Sequence, residues 1–347
     1  MLRMIRTILI LVSLAACTGP LEAATELGTE GGSFTVNGRR VFLLGISYYG
    51  ALGAPRDFIK KDLVDMQRLG INWIRVWATW RFFGNDVSAV DGRGRARQAY
   101  LDKLLWLTGE CDRRGIIVDV TLSRGDGRGH SVDLPDFKAH FQAVGILTRA
   151  LKRYKNWYID LANERNIRDS RYVSLEEVKK LRDEVKRIDP SRLVTASHAG
   201  DIDRGTFRAY VQKALLDFVA PHRPRNGRSP GRTGARTRRY LAWAGELKKH
   251  VPIHYQEPFR RGFAPHRWEP TEEAFVIDLT GALRGGAAGW CFHNGDQKNR
   301  PGAEPHRSFD MSKRRLFDQL DAAEKQALKR IAALLRRESR QSRQEKP

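Results

Sequence analysis

The stretch NWYIDLANERN, residues 156–166, decides the fold. A short run rich in aromatic and β-branched residues breaks off in Asn163-Glu164, as a buried strand does when it reaches the polar rim of a sheet. Seven other runs have this form: VFLLGIS (41–47), NWIRVWA (72–78), IIVDVTL (116–122), RLVTASH (192–198), LDFVAPH (216–222), PIHYQEP (252–258) and AAGWCFH (287–293). WYIDLAN (157–163) stands fourth among the eight. Between them lie helical patterns such as PRDFIKKDLVDMQRLG, ARQAYLDKLLWLTGECDRRG and SLEEVKKLRDEVKRID, several closed by Gly or Asp-Pro. Ser174 with Glu177 has the form of a capping box. Eight strand–helix repeats predict an α/β fold, a single (β/α)₈ TIM barrel. The rival, an open doubly wound sheet, calls for a Gly-rich phosphate loop after its first strand, and GISYYGALG matches that poorly.

The barrel does not begin at Met1. Two arginines precede an apolar run over residues 8–16, and small residues follow, which is the layout of an export signal. LAAC ending at Cys17 has the form of a bacterial lipoprotein box, so residues 1–16 are expected to be a signal peptide and Cys17 the lipidated residue. The other reading is ordinary cleavage near Ala23-Ala24, with Cys17 discarded. Residues 17–32 are expected to be a tether, 33–337 the barrel domain and 338–347 a basic tail. Asn37-Gly38, between two β-rich runs, predicts a short hairpin at the start of the domain. The expected location is the cell envelope, facing the periplasm or on the outer membrane, with the lipid as membrane anchor and the chain a monomer.

Cys111 on a helix and Cys291 on the last strand are expected to be buried free thiols, and no Cys/His spacing suggests a metal. The net charge of +22 comes from 62 basic against 40 acidic residues, and 45 of the basic ones are arginine. The arginines are spread along the chain without a nucleic-acid-binding motif, so no nucleic acid is expected as partner. An anionic glycan and a merely solvated arginine surface both fit that charge.

Catalytic residues of such barrels sit where strands end at the mouth. The fourth run ends in Asn163-Glu164 and the seventh in Glu257, 93 residues on. The fourth and seventh strands face each other across the mouth, so both carboxylates can reach one cleft. Such a pair suits glycosidic cleavage: one carboxyl protonates the leaving oxygen, and the other attacks or activates water. Each residue also has a plainer reading. Asn163-Glu164 can be a loop start, Glu257 can bridge to Arg260 or Arg261, Arg75 can pair with Asp119 inside the barrel, and His222 and His254 can be core histidines.

The runs VNGRRVFLLGISYY, LGINWIRVW, DLANE, PIHYQEP and GWCFHN, in this order, give the chain a further character. Over roughly residues 33–310 it resembles clan A of the glycoside hydrolases, the retaining (β/α)₈ enzymes, and most of all cellulase-type family 5. The resemblance implies that Glu164 is the general acid/base and Glu257 the nucleophile. It implies that Asn163 holds the sugar 2-hydroxyl, Arg75 hydrogen-bonds the nucleophile, Trp290 floors the sugar site, and His222 touches sugar or nucleophile. Physically, an arginine beside Glu257 favours its ionised form, while burial and, later, the nearby negative charge can keep Glu164 protonated.

Two departures stand out. No tyrosine follows His222 to bond the nucleophile, and Tyr255, two residues before Glu257, is expected to substitute. The third run leads into Ser123-Arg124, where many of these enzymes carry a histidine. Arg124, Arg128, Arg223 and Arg225 are expected near the mouth, and the Gly-rich loop SRGDGRGHSVDLPDF over the substrate. The function expected is retaining hydrolysis of a β-linked glycan without cofactor or metal. The alternative is a non-catalytic glycan-binding lipoprotein on the same barrel.

Overall fold

The computed structural model describes residues 24–122, 133–262, 268–294 and 309–344. The expected signal, Cys17 and the loop residues Ser123, Arg124, Asp126, Arg128 and His130 lie outside the described residues. Seven parallel strands form one sheet: Leu43–Ser47, Trp73–Trp77, Ile117–Thr121, Trp157–Asp160, Val194–Thr195, His254–Tyr255 and Gly289–Phe292. In space the first of these is flanked by Trp73–Trp77 on one side and Gly289–Phe292 on the other. The run at 216–222 is not a regular strand. It is held by single parallel bridges, His198 to Pro221 on one side and Val219 to Ile253 on the other. Those bridges close the ring, so all eight sequence runs line one (β/α)₈ barrel. Pro221 has no N–H to give a ladder, which accounts for the irregular sixth position.

Alternation within each strand sorts side chains between the barrel interior and the helix layer. Trp73, Arg75, Asp119, Tyr158 and His254 meet inside, while Ile74, Val76 and Val118 pack outward. Room for the inner rings comes from two glycines. A Cβ on Gly45 would lie 1.4 Å from the Trp73 ring, and one on Gly289 would lie 2.3 Å from His254 Nδ1. His254 is thus a core residue, bonded at Nε2 to the Tyr158 hydroxyl (2.9 Å).

The far end of the barrel is capped by a small antiparallel sheet. Asn37 and Gly38, both at positive φ (51° and 74°), turn the hairpin between Ser33–Val36 and Arg39–Val41. A third strand, Leu27–Glu30, pairs with the hairpin, so part of the expected tether belongs to the folded domain. Phe34, fully buried, stands edge-on to Phe218 and His254 and plugs that end. At the other terminus, helix Ala322–Gln344 carries residues 338–344 of the expected basic tail on as helical backbone. The capping box forms at Ser174 and Glu177 as expected. Cys111 and Cys291 are buried free thiols on a helix and on the last strand.

Candidate active site

Glu164 and Glu257 emerge at the same mouth and share partners. Asn163 and Glu164 follow the end of strand Trp157–Asp160, where Glu164 takes a left-handed backbone (φ 49°). That conformation is costly for a residue with a side chain and persists where the surroundings hold it. The hold comes from the next run: Ser197 Oγ accepts the Glu164 N–H (2.9 Å), and the Ser197 N–H is itself bound by Asp160 Oδ1 (3.0 Å). Glu257 lies two residues past His254–Tyr255, in a segment that has left the strand.

Glu257 Oε1 accepts from the Tyr49 hydroxyl (2.6 Å) and pairs with Arg75 Nη1 (3.2 Å). Its Oε2 accepts from Arg225 Nη2 (2.8 Å), with His222 Nδ1 at 3.5 Å. Glu164 Oε1 meets His222 Nδ1 (3.1 Å) and Arg225 Nη2 (3.5 Å). One guanidinium and one imidazole therefore span both carboxylates. Arg75 is fixed from behind by Asp160 (2.8 Å), by Asp119 (3.4 Å) and by Asn163 Oδ1 (3.1 Å). The two readings of Arg75, partner of Asp119 and partner of Glu257, both hold.

The His222 tautomer follows from its neighbours. Arg75 Nη1 stands 3.0 Å from His222 Nε2, and a guanidinium has only donors, so Nε2 carries the lone pair. The ring proton is then on Nδ1, donated to Glu164. This bears on metal binding, because Glu164, His222 and Glu257 offer ligand atoms within 4.8 Å of one another, the one such group among the described residues. The protonated Nδ1 cannot ligate, and Arg225 fills the gap between the carboxylates. The set suits proton and sugar chemistry better than a cation.

The electrostatics differ from the sequence expectation for Glu164. Burial raises its carboxyl, but the His222 hydrogen bond and the Arg225 charge outweigh burial and bring it down to about 2. Glu164 is therefore ionised in the free site, not held protonated by burial. Glu257 is also raised by burial, and His222, Arg75, His293 and Arg225 together hold it well below the ordinary carboxylate range. Deeper in the barrel, burial pushes Asp119 up to about 7 against the pull of Arg75.

Two expected site residues face elsewhere. Trp290 does not floor the mouth: Gly289 and Cys291 take the inward positions of that strand. The Trp290 indole turns outward, its Nε1–H donated to Asp278 (2.7 Å) of helix Glu272–Gly285. Tyr255 does not reach Glu257: its hydroxyl bonds Thr237 (2.7 Å) on helix Ser229–Glu246. The two-residue spacing failed because the strand ends at Tyr255. Arg223, expected at the mouth, turns to Asp201 and Thr233. Tyr49, in YYG straight after the first strand, gives the phenol that Tyr255 was expected to give. His293, next inward after Cys291, stands where Trp290 was expected, with Nε2 3.8 Å from Glu257. The parity of GWCFHN was a signal for both His293 and Trp290.

The barrel is shared with solved glycoside hydrolases. A family 5 glycoside hydrolase from Bacteroides vulgatus ATCC 8482 superposes with a TM-score of 0.67 at 17% identity, over 88% of this chain and 70% of that one. The endo-1,4-β-mannanase of Rhizomucor miehei gives 0.60 at 14% identity, over 90% and 99%. An exo-β-1,4-mannosidase from Opitutaceae bacterium strain TAV5 gives 0.59 at 17%, over 87% and 60%. No family profile matches the sequence, and no curated protein does. At these identities the likeness establishes the (β/α)₈ fold.

Proposed function

We propose that the protein is a retaining glycoside hydrolase that cleaves a β-linked glycan by double displacement. The observation that carries this is the pair Glu164 and Glu257, from opposite sides of one barrel mouth, with one oxygen of each no more than 4.8 Å from the other and one guanidinium reaching both, too close to admit a water between them. Retaining enzymes hold their carboxyls ~5–5.5 Å apart, and inverting ones hold them ~6.5–9.5 Å apart to admit a water. The fold shared with solved glycoside hydrolases supports the same reading.

Glu257 is the nucleophile. Tyr49 and Arg75 hold Oε1, which fixes the carboxylate plane and presents Oε2 to an anomeric carbon. Glu164 is the acid/base, and its depressed carboxyl sets a condition on the first step. Departure of Arg225 removes one of the two groups that keep Glu164 ionised, and the buried site with Glu257 charged nearby then works to raise it. Glu164 protonates the leaving oxygen as Glu257 bonds to carbon. Once Glu257 is esterified, its negative charge is gone, and Glu164 is ready to draw a proton from water. Asn163, held by Arg75, is the candidate for the sugar 2-hydroxyl. His222 sets the direction of both carboxylates. We further propose that the chain is exported, anchored through lipid on Cys17, and acts as a monomer in the cell envelope. Loss of radiolabelled palmitate incorporation in Cys17→Ala tests the anchor.

The decisive experiment is hydrolysis of a panel of β-glucans, β-mannans, β-xylans and β-galactans by the full chain in detergent, beside Glu164→Gln and Glu257→Gln. The expected result is cleavage with retained anomeric configuration, read by proton NMR at early times, and lost in both variants. Inverted product, or activity surviving either substitution, refutes the mechanism. Arg225 seated across both glutamates favours a second reading, a glycan-binding lipoprotein that does not turn over. Equal glycan binding by all three proteins without cleavage would establish that second reading.

A further inference from the structure

Two donors at Glu257 neither form a bond nor pass a proton in the double displacement. The first is Arg225, whose Nη2 lies 2.8 Å from Glu257 Oε2 and 3.5 Å from Glu164 Oε1. A guanidinium there occupies the space an anomeric carbon needs. It also keeps Glu164 ionised when the first step requires a proton on it. Substrate entry must therefore move Arg225 off Glu164. A neutral sugar offers hydroxyls in exchange for a carboxylate, a poor trade for a guanidinium. A carboxylate on the sugar offers the planar, two-point partner that arginine binds best.

The second donor is His293, buried on the eighth strand's inner face. Its Nδ1 stands 2.7 Å from Ser47 Oγ, a hydroxyl able to donate to it, while Nε2 faces the Glu257 carboxylate, which favours the ring proton on that nitrogen. Tyr49, 3.3 Å away, has given its proton to Glu257. Burial holds the His293 ring neutral, so its single proton is on Nε2. That Nε2–H makes no hydrogen bond, and Glu257 Oε2 at 3.8 Å is beyond reach. A buried donor left unmade is costly, and a ligand acceptor beside Glu257 removes that cost.

Resting on the glycosidase reading above, we propose that the sugar facing Glu257 is a uronic acid, whose carboxylate takes Arg225 from the glutamates and accepts the Nε2–H of His293. Substrate binding and acid catalysis are then coupled. Transfer of Arg225 to the uronate withdraws one of the two groups that hold Glu164 down, so the right sugar makes Glu164 a better acid while the His222 hydrogen bond stays. The chain's +22 charge draws a polyanionic glycan to the envelope-facing protein.

The test uses the full chain in detergent with matched aryl β-glycosides: glucoside with glucuronide, galactoside with galacturonide, mannoside with mannuronide. In one pair the uronide is expected to exceed its neutral partner in kcat/KM by about 100-fold or more, as for sites built to hydrogen-bond a substrate group. Arg225→Gln is expected to bring that ratio to near one, Arg225→Lys to restore part of it, and His293→Gln to lower it by about 10-fold. A neutral glycoside preferred in every pair overturns the inference while leaving the glycosidase reading intact. So does a uronide preference that survives Arg225→Gln, or a primary-position sulfate ester preferred to the uronide. If no glycoside of either kind is cleaved, the glycosidase reading fails. Calorimetric titration with the free uronates then decides: binding lost in Arg225→Gln upholds the carboxylate site, and equal binding of uronate and neutral sugar refutes it.

Discussion

Arg75→Met is the sharpest perturbation of this barrel, because one guanidinium answers three buried carboxylates. Arg75 is fully buried and pairs with Asp160 at 2.8 Å, Glu257 at 3.2 Å and Asp119 at 3.4 Å. Methionine fills much of the same volume without charge, so the substitution tests electrostatics more than packing. Removing one partner of a buried ion pair costs about 3–5 kcal/mol, and with three partners the upper end applies near neutral pH. The pH dependence separates this account from a packing defect. In the native chain Arg75 lowers both Glu257 and Asp119. Asp119, already up at about 7, takes its proton in both proteins over this range, while Glu257 rises without Arg75, so the folded variant binds a proton that the folded native chain does not. A folded state that holds extra protons gains stability as pH falls. One extra proton is worth about 1.4 kcal/mol per pH unit, so a loss of about 5 kcal/mol near pH 7.5 shrinks to about 2 near pH 5.5. Urea unfolding of native and variant chains at both pH values measures it. A loss that is the same at both, or below about 1 kcal/mol at either, refutes the claim that Arg75 neutralises these carboxylates.

Tyr49→Phe keeps the ring against Trp77 (4.8 Å) and removes only the bond to Glu257. We expect kcat to fall about 10–100-fold with KM little changed, the size of a hydrogen bond to a charged group. Steady-state kinetics on any cleaved glycan checks it, and a change in KM alone counts against the assignment. In the native chain the sign of the pH effect is opposite to that of Arg75→Met. Glu164, down at about 2, and Glu257, also depressed, stabilise the fold fully above the unfolded carboxyl value near ~4.3. That stability is lost as pH falls toward 2, about 3 kcal/mol for Glu164, and urea midpoints between about pH 5 and pH 3 should track it. Gly45→Ala places a Cβ 1.4 Å from the Trp73 ring, and thermal unfolding should show a loss of about 3 kcal/mol or more.

Much of this was legible in the chain, for identifiable reasons. Buried parallel strands are apolar on both faces, so seven regular strands stood out as runs, and the eighth, at 216–222, came with them although Pro221 leaves it only single bridges. Glu164 and Glu257 were found because a barrel's chemistry is confined to strand ends, which leaves few places to look. What failed was the question of which way a side chain points. Trp290 was expected at the mouth because indoles suit sugar rings, but a strand's period of two had already assigned the inside to Gly289 and Cys291 and, one step on, to His293. The same period misled for Tyr255, because the strand stops there and parity does not carry across its end. Tyr49 acts from a loop segment whose course no local pattern gives, and Arg225, expected near the mouth and found there, spans both glutamates in a way no spacing foretold.

The ionisation of Glu164 lay further from the sequence, because it is a balance and not a position. Burial and the charge of Glu257 both act to raise Glu164, and a protonated Glu164 was the expectation. The His222 proton reverses it, and that proton is on Nδ1 only because Arg75 occupies Nε2 at 3.0 Å. Arg75 faces that nitrogen because Asp119 and Asp160 hold its other side. The charge on Glu164 thus depends on two aspartates one shell further in. Removing Arg75 should free His222 to change tautomer and release Glu164 from its hydrogen bond, so the alkaline limb of kcat/KM, which reports the general acid, should move to higher pH in Arg75→Met along with its stability profile. A limb that stays in place would separate the two glutamates electrically and return Glu164 to control by Arg225 alone.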